Sequence, residues 1–222
     1  MYLLITAGGT REYIDPVRFI TNASSGRMGY ALAGAALKAG HKVTLISASD
    51  LQPPVGVEFV GVDSAAEMFG AVKNFFTKCD CLIMAAAVAD YTPVKQAKSK
   101  MKKQDKALTI KLKPTVDILK WAGKHKKVRN RNKGTEAQRD RGKKGKRQIV
   151  VGFALEDKNL KARAEKKLKD KNLDMIIANC PAAIGSDKST VQIKTSDSAW
   201  LKTENATKIS TAKRIIRLIQ NL

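Results

Sequence analysis

The feature that most constrains this chain is a repeated exchange between two hydrophobic periods. Strand-length apolar blocks occupy 2–6, 42–47, 58–62 and 80–86, and between them 26–39 and 64–78 place apolar residues at helical spacing. Such alternation is the rhythm of βαβ units, in which each parallel strand needs a crossover helix before the next. The expected fold is therefore α/β and Rossmann-like, a mainly parallel sheet flanked by helices. The rhythm returns later, with a strand over 148–154, a helix over 160–171 and a strand over 174–178. Alternating runs predict further strands at 107–112, 191–195 and 200–203, before a last helix near 207–222. At 222 residues the chain is read as one domain spanning 1–222.

The first strand ends in Gly8-Gly9, and Ser24-Ser25-Gly26 opens the first helix, whose apolar stripe runs through Met28, Leu32 and Ala36. Glycines beside a helix start let backbone N–H groups converge on an anion, so a nucleotide or phosphorylated substrate is expected at Gly8, Gly9, Ser25 and Gly26. The spacing is not G-x-G-x-x-G, because a long polar excursion separates Gly8-Gly9 from Gly26 and Gly29. That excursion carries Arg11, Asp15, Arg18 and Asn22, groups suited to phosphate and carboxylate oxygens. Ligands in open α/β sheets sit at the carboxyl ends of strands, so Gly8, Asp90 and Phe153 are expected to share one crevice.

Four ordered blocks carry a family resemblance. They are Gly8-Gly9-Thr10-Arg11 running through Asp15-Pro16-Val17-Arg18, Asn22 and Ser24-Ser25-Gly26 to Met28-Gly29; Ala85-Ala86-Ala87-Val88-Ala89-Asp90-Tyr91; Val151-Gly152-Phe153-Ala154 with Glu156; and Lys167-Leu168, Lys171, Asp174 and Ile176 leading to Ala178-Asn179. Together they resemble phosphopantothenoylcysteine synthetase, the ligase of coenzyme A biosynthesis. The resemblance implies that 4'-phosphopantothenate is activated by a nucleoside triphosphate, typically CTP with Mg²⁺, to an acyl-nucleotide that cysteine's amine then resolves. It assigns catalytic roles to Asn22, Lys100 and Arg18, with Arg18 and Asn22 holding the acyl-nucleotide. Asp90 is expected at the cytidine part, and Phe153 with the Asp117-Ile118-Leu119 turn at the nucleotide pocket. Lys100 belongs to a lysine-rich flap over 91–106 that would fold over the nucleotide. Lys167 and Lys171, four apart on one helix face, can present two cations to a polyphosphate. No protein ligand set for the metal is readable. The resemblance also implies a homodimer with a small appended β element for dimerisation. Because the chain begins at the first strand of this pattern, it resembles the stand-alone form, with no flavin and with decarboxylation left to a separate polypeptide. It departs from the family pattern at Val116, where proline is usual, at Cys180, where an acid is usual, and over 184–187.

The net charge of +22 is partly local: from Lys124 to Arg147 twelve Lys or Arg stand against Glu136 and Asp140. With three glycines and almost no apolar residues, 124–147 reads as a solvated basic insertion of roughly twenty residues in a link that is usually short. It lacks the interleaved aromatics of a single-strand platform, so nucleic acid is a minor alternative. No run approaches a membrane span, no signal peptide pattern opens the chain, and cytoplasm is the default reading. Cys79, Cys81 and Cys180 lack redox or metal spacing and read as buried, reduced thiols. His41 and His125 leave little for zinc or a serine triad. A nicotinamide oxidoreductase, with Asp50 as ribose ligand, is a second alternative. Its Tyr91-x-x-x-Lys95 pair has Pro93 between the partners, which disfavours the helical turn that would join them.

Overall fold

The structure, a computed structural model, describes residues 1–103, 105–129 and 146–222. β1 (Tyr2–Ala7) leads through a hairpin of β2 (Arg11–Tyr13) and β3 (Phe19–Thr21) into α1 (Arg27–Lys38), which returns the chain to β4 (Lys42–Ser47). β5 (Glu58–Gly61), α2 (Ala65–Phe76) and β6 (Cys81–Met84) follow. A second hairpin pairs β7 (Tyr91–Pro93) with β8 (Leu112–Pro114) ahead of α3 (Ile118–Lys124). β9 (Val128–Arg129) pairs antiparallel with β10 (Lys146–Arg147). The chain ends with β11 (Ile149–Leu155), α4 (Leu160–Asp170), β12 (Met175–Asn179), β13 (Lys188–Thr195), β14 (Leu201–Thr207) and α5 (Lys208–Gln220).

Eight strands form one sheet in the order β14-β13-β12-β11-β6-β1-β4-β5. Pairing is parallel from β12 to β5 and antiparallel where β13 and β14 close the other edge. Strand side chains alternate faces, and the two faces carry two cores. Leu3, Ile5, Val43, Ile83 and Val151 pack against α1 and α5 through Leu32, Ala36, Ile215 and Ile219. Leu4, Ile46, Leu82, Val150 and Ile176 pack on the opposite side against Met68, Val72, Leu119 and Leu168 of α2, α3 and α4. The result is a three-layer αβα sandwich of the expected class, with both faces of its parallel strands buried, which is why those strands read as continuous apolar runs.

Several expectations are corrected. Residues 107–111 form no strand; only Leu112 enters β8, and Leu108 is 65% exposed, so the alternation there has no core to face. The strands of the tail, β13 and β14, are appended antiparallel to the edge of the main sheet, β13 registering directly against β12. Asp117 opens a helix rather than a turn, its Oδ1 accepting the Lys120 N–H at 2.9 Å. The basic segment is not solvated throughout: Lys124 ends α3, and the Lys126 side chain is only 4% exposed, paired with Asp174 at 2.9 Å. Residues 130–145 of that segment lie outside the described residues. Cys79 and Cys81 are buried, but Cys180 is exposed.

Candidate active site

The strand order reverses at β1, whose neighbours are β4 on one side and β6 on the other. A crevice opens beyond the carboxyl ends at such a switch point. Here it is a cavity of about 550 Å³. Its floor comes from the ends of β6, β11 and β12 through Met84, Phe153 and Asn179, and one wall is the 22–28 loop leading into α1.

Gly26 caps α1 with φ 77°, a left-handed backbone where a side chain is strained, and an added Cβ would lie 2.8 Å from that of Ser49. No side chain caps this helix and its first turn holds no acid, so the positive end of the helix dipole faces the cavity through Gly26, Arg27 and Met28. Across the cavity, Lys167 on α4 donates its ammonium to the Phe153 carbonyl at 2.7 Å. Burial, and then the neighbouring Lys171, push the Lys167 pKa below the ordinary lysine value, while Asp117, Glu156 and Asp90 pull the other way. Lys171 pairs with Asp117 at 2.8 Å. Burial raises the Asp117 pKa, but the hydrogen bonds from Lys171 and the Lys120 N–H outweigh it and leave the carboxyl below its ordinary value. Asp90 also faces the cavity, and its carboxylate makes no hydrogen bond among the described residues. Asn22 donates its amide to the Ala87 and Val88 carbonyls, both at 3.2 Å, which ties the loop after β3 to the loop after β6.

The cavity wall thus gathers Asn22, Ser25, Gly26, Asp90, Asp117, Ile118, Leu119, Phe153, Lys167 and Lys171. Gly8 is not in its wall. With φ 83° and an added Cβ 2.7 Å from the Ser49 nitrogen, it serves the close approach of β1 and β4 loops. Gly9 lines a second cleft of about 460 Å³ that shares Asn22, Ser24 and Ser25 with the first. Arg11 crosses that cleft to Asp50 at 2.6 Å, so the carboxylate considered for a ribose is engaged in an ion pair. Arg18 and Lys100 line neither space. Arg18 turns instead to Asp15, its Nη2 2.6 Å from Oδ2. Residues not singled out from sequence include Asn179, which lay within a quoted motif, and Lys208 at the start of α5. Lys208 had no local signal, since it arrives only because α5 packs beside α1.

Chemically, two ammonium groups and an open helix end converge on a half-open cleft fit for a polyanion, with aromatic and aliphatic walls from Phe153, Ile118 and Leu119 for a base or acyl chain. The wall carries neither Cys nor His.

The model of the DNA/pantothenate metabolism flavoprotein C-terminal domain family matches residues 1–222. The chain belongs to this family. It is 46% identical over 198 residues to the coenzyme A biosynthesis bifunctional protein CoaBC of Bacillus subtilis (strain 168), covering 86% of this chain and 44% of that protein. It is 41% identical over 226 residues to a cysteine/cysteine sulfinic acid decarboxylase of an unknown prokaryotic organism, covering 99% of this chain and 58% of that protein. The chain thus spans about half the length of the curated relatives it matches. A crystal structure of the C-terminal domain of a coenzyme A biosynthesis bifunctional protein CoaBC superposes with a TM-score of 0.79 at 38% identity, covering 99% of this chain and 94% of that one.

Proposed function

We propose that this chain is a phosphopantothenate–cysteine ligase. The observation that carries the reading is the cavity in which Lys167, Lys171 and the α1 N-terminus face one another across a space sized for a nucleotide and an acyl chain. The similarity to the C-terminal half of proteins named for coenzyme A biosynthesis supports it.

In the first step a carboxylate oxygen of 4'-phosphopantothenate attacks the α-phosphorus of CTP, and the bond to pyrophosphate breaks. Two anions meet while a third departs, so fixed cations lower the barrier; Lys167, Lys171 and the free N–H groups of α1 supply them. In the second step the amine of cysteine attacks the acyl carbon, the bond to CMP breaks, and the amine's surplus proton leaves to solvent. Asn22 spans the two loops at the edge of the cavity and orients the acyl-cytidylate there. Phe153, Ile118 and Leu119 enclose the base, and Asp90 approaches the cytidine part. Mg²⁺ fits this site as an ion held chiefly by the triphosphate, since the described residues contain no cluster of metal-ligating side chains and Asp90 is an uncommitted carboxylate in the wall. Bound there, it would neutralise phosphate charge. The reading places the reaction in the cytoplasm. No helix of the described residues is long and apolar enough to cross a membrane.

We further propose a homodimer built on the two hairpins. Val17, Phe19, Tyr91, Val94 and Leu112 are all more than 40% exposed on or beside β2–β3 and β7–β8, two ribbons that pack together. An apolar face of that kind marks an interface.

The deciding experiment incubates the protein with 4'-phosphopantothenate, Mg²⁺ and CTP or ATP, with and without cysteine, and follows pyrophosphate release and product mass. Formation of phosphopantothenoylcysteine with CTP supports the reading. Carbon dioxide released from cysteine alone, with no pyrophosphate, would replace it with the activity for which the decarboxylase relative is named.

A further inference from the structure

The two cations assigned catalytic roles from sequence, Arg18 and Lys100, lie 82 positions apart in the chain, yet the fold brings their backbones together through a third residue. The Asp15 carboxylate is fully buried and accepts five hydrogen bonds. Its Oδ1 takes the backbone N–H groups of Val17 and Arg18, each at 2.8 Å, which closes the tight turn between β2 and β3. Its Oδ2 takes Arg18 Nε at 2.9 Å and Nη2 at 2.6 Å, and also the backbone N–H of Met101 at 3.1 Å. Arg18 Nη2 in turn donates to the Met101 carbonyl at 2.6 Å. A second clasp joins Ala97 N–H to the Ile14 carbonyl at 2.9 Å, so the exposed residues Lys98, Ser99 and Lys100 form a short arch pinned at both feet.

We propose that Asp15 is a positioning residue that holds the Arg18 guanidinium and the foot of the lysine flap as one unit, so that Arg18 and Lys100 act together on one anionic group of the substrate. This rests on the ligase reading above. Asp15 and Arg18 are only three residues apart and could serve the turn alone; the bonds to both the N–H and the carbonyl of Met101 are what extend the unit to the flap. Among the described residues, Arg18 keeps its Nη1 without a hydrogen bond, and Lys100, immediately before Met101, has no ion pair. A guanidinium and an ammonium carried on one unit are donors suited to the oxygens of a phosphate or carboxylate. A separate Arg18 and a free-swinging lysine would have to be ordered anew at each binding event; a shared carboxylate removes much of that entropy cost.

The chemistry of the two oxygens makes the idea separable from folding. In Asp15→Asn the remaining oxygen can still close the turn at Oδ1, while an NH₂ group replaces Oδ2 and faces only donors. Met101→Pro removes the flap's N–H on an exposed segment, leaving Asp15 intact. Hydrogen exchange of the peptide covering 94–103 is expected to accelerate at least tenfold in both variants, with exchange in β1, β4 and β6 unchanged. In ligation kinetics, Lys100→Ala is expected to cost at least tenfold in kcat/KM for 4'-phosphopantothenate in the wild-type background and less than twofold beside Asp15→Asn. Unchanged exchange in both variants would overturn the latch. An equal cost of Lys100→Ala in both backgrounds would overturn the joint action of the two cations. Should the wild-type chain show no ligation, the ligase reading fails by itself, and the exchange data still decide whether Asp15 holds the flap.

Discussion

Asp174 stands just before β12, at the amino edge of the sheet and opposite the cavity, and receives Lys126 Nζ on both oxygens at 2.9 and 3.0 Å with the Val150 N–H at 2.7 Å. The side chains are 4% and 15% exposed, and Arg147 approaches to 3.9 Å. At 3 Å and an effective dielectric near 20, the attraction is about 5 kcal/mol before desolvation is counted. Asp174→Ala strands an ammonium in a covered site and should cost about 3–5 kcal/mol. Lys126→Met should cost less, about 1–2 kcal/mol, because the carboxylate keeps its N–H donor and Arg147 and lies nearer water. Adding Lys126→Met to Asp174→Ala should therefore recover stability rather than lose more. Urea unfolding at constant m measures all three variants. Burial first, and then Arg147, lower the Lys126 pKa, against the upward pull of Asp174. The unfolded chain then binds more protons in that range, so this residue's contribution to stability rises as pH climbs through its folded value toward the usual lysine range. Because the pair lies at the far edge of the sheet, kcat of folded Asp174→Ala should stay within about twofold of wild type. A cost below about 1 kcal/mol for Asp174→Ala, or a double variant weaker than either single one, would refute the reasoning.

Gly123→Ala would set a Cβ 1.8 Å from the Lys171 carbonyl oxygen, forcing α3 and the end of α4 apart; it should destabilise by about 3 kcal/mol or more in urea and raise the KM for nucleotide by displacing Lys171 from Asp117. Lys167→Met should weaken nucleotide binding by at least tenfold in a calorimetric titration, and wild-type affinity should fall with rising pH earlier than an ordinary lysine predicts, since only protonated Lys167 attracts phosphate and its pKa is lowered. Hydrogen bonds from Arg18, then from the Val17, Met101 and Arg18 N–H groups, hold the Asp15 carboxyl far below its ordinary range despite burial. Its folded value is depressed, so its stabilisation is complete above the unfolded value near 4 and fades as pH falls from there, which pulsed exchange of the flap at low pH will register. Deleting 130–145, which carry six Lys or Arg against two acids, should shorten retention on an anionic column and leave ligation unchanged.

The alternation of strand and helix was legible because both faces of a parallel strand are buried, and its period survives in a single segment. Strand 42–47 and helix 160–171 therefore matched β4 and α4 to within a residue at each end. Segment 107–112 misled for the converse reason: Leu108, Ile110 and Leu112 alternate, but no layer lies above them, and a period without a partner surface makes no strand. Asp117 read as a turn because α3 is only seven residues long, too short for a helical stripe to declare itself.

Taken by itself, the sequence determined the layer architecture, the glycine-marked helix start and the motifs at strand ends, since each depends on the period or chemistry of a few neighbouring residues. Tertiary structure decided which distant groups meet: Lys171 with Asp117, Lys208 at the cavity, Lys126 beneath Asp174, and Met101 on the carboxylate of Asp15. Those pairings follow from strand order and crossover packing, and no local pattern encodes the partner that a folded sheet brings alongside.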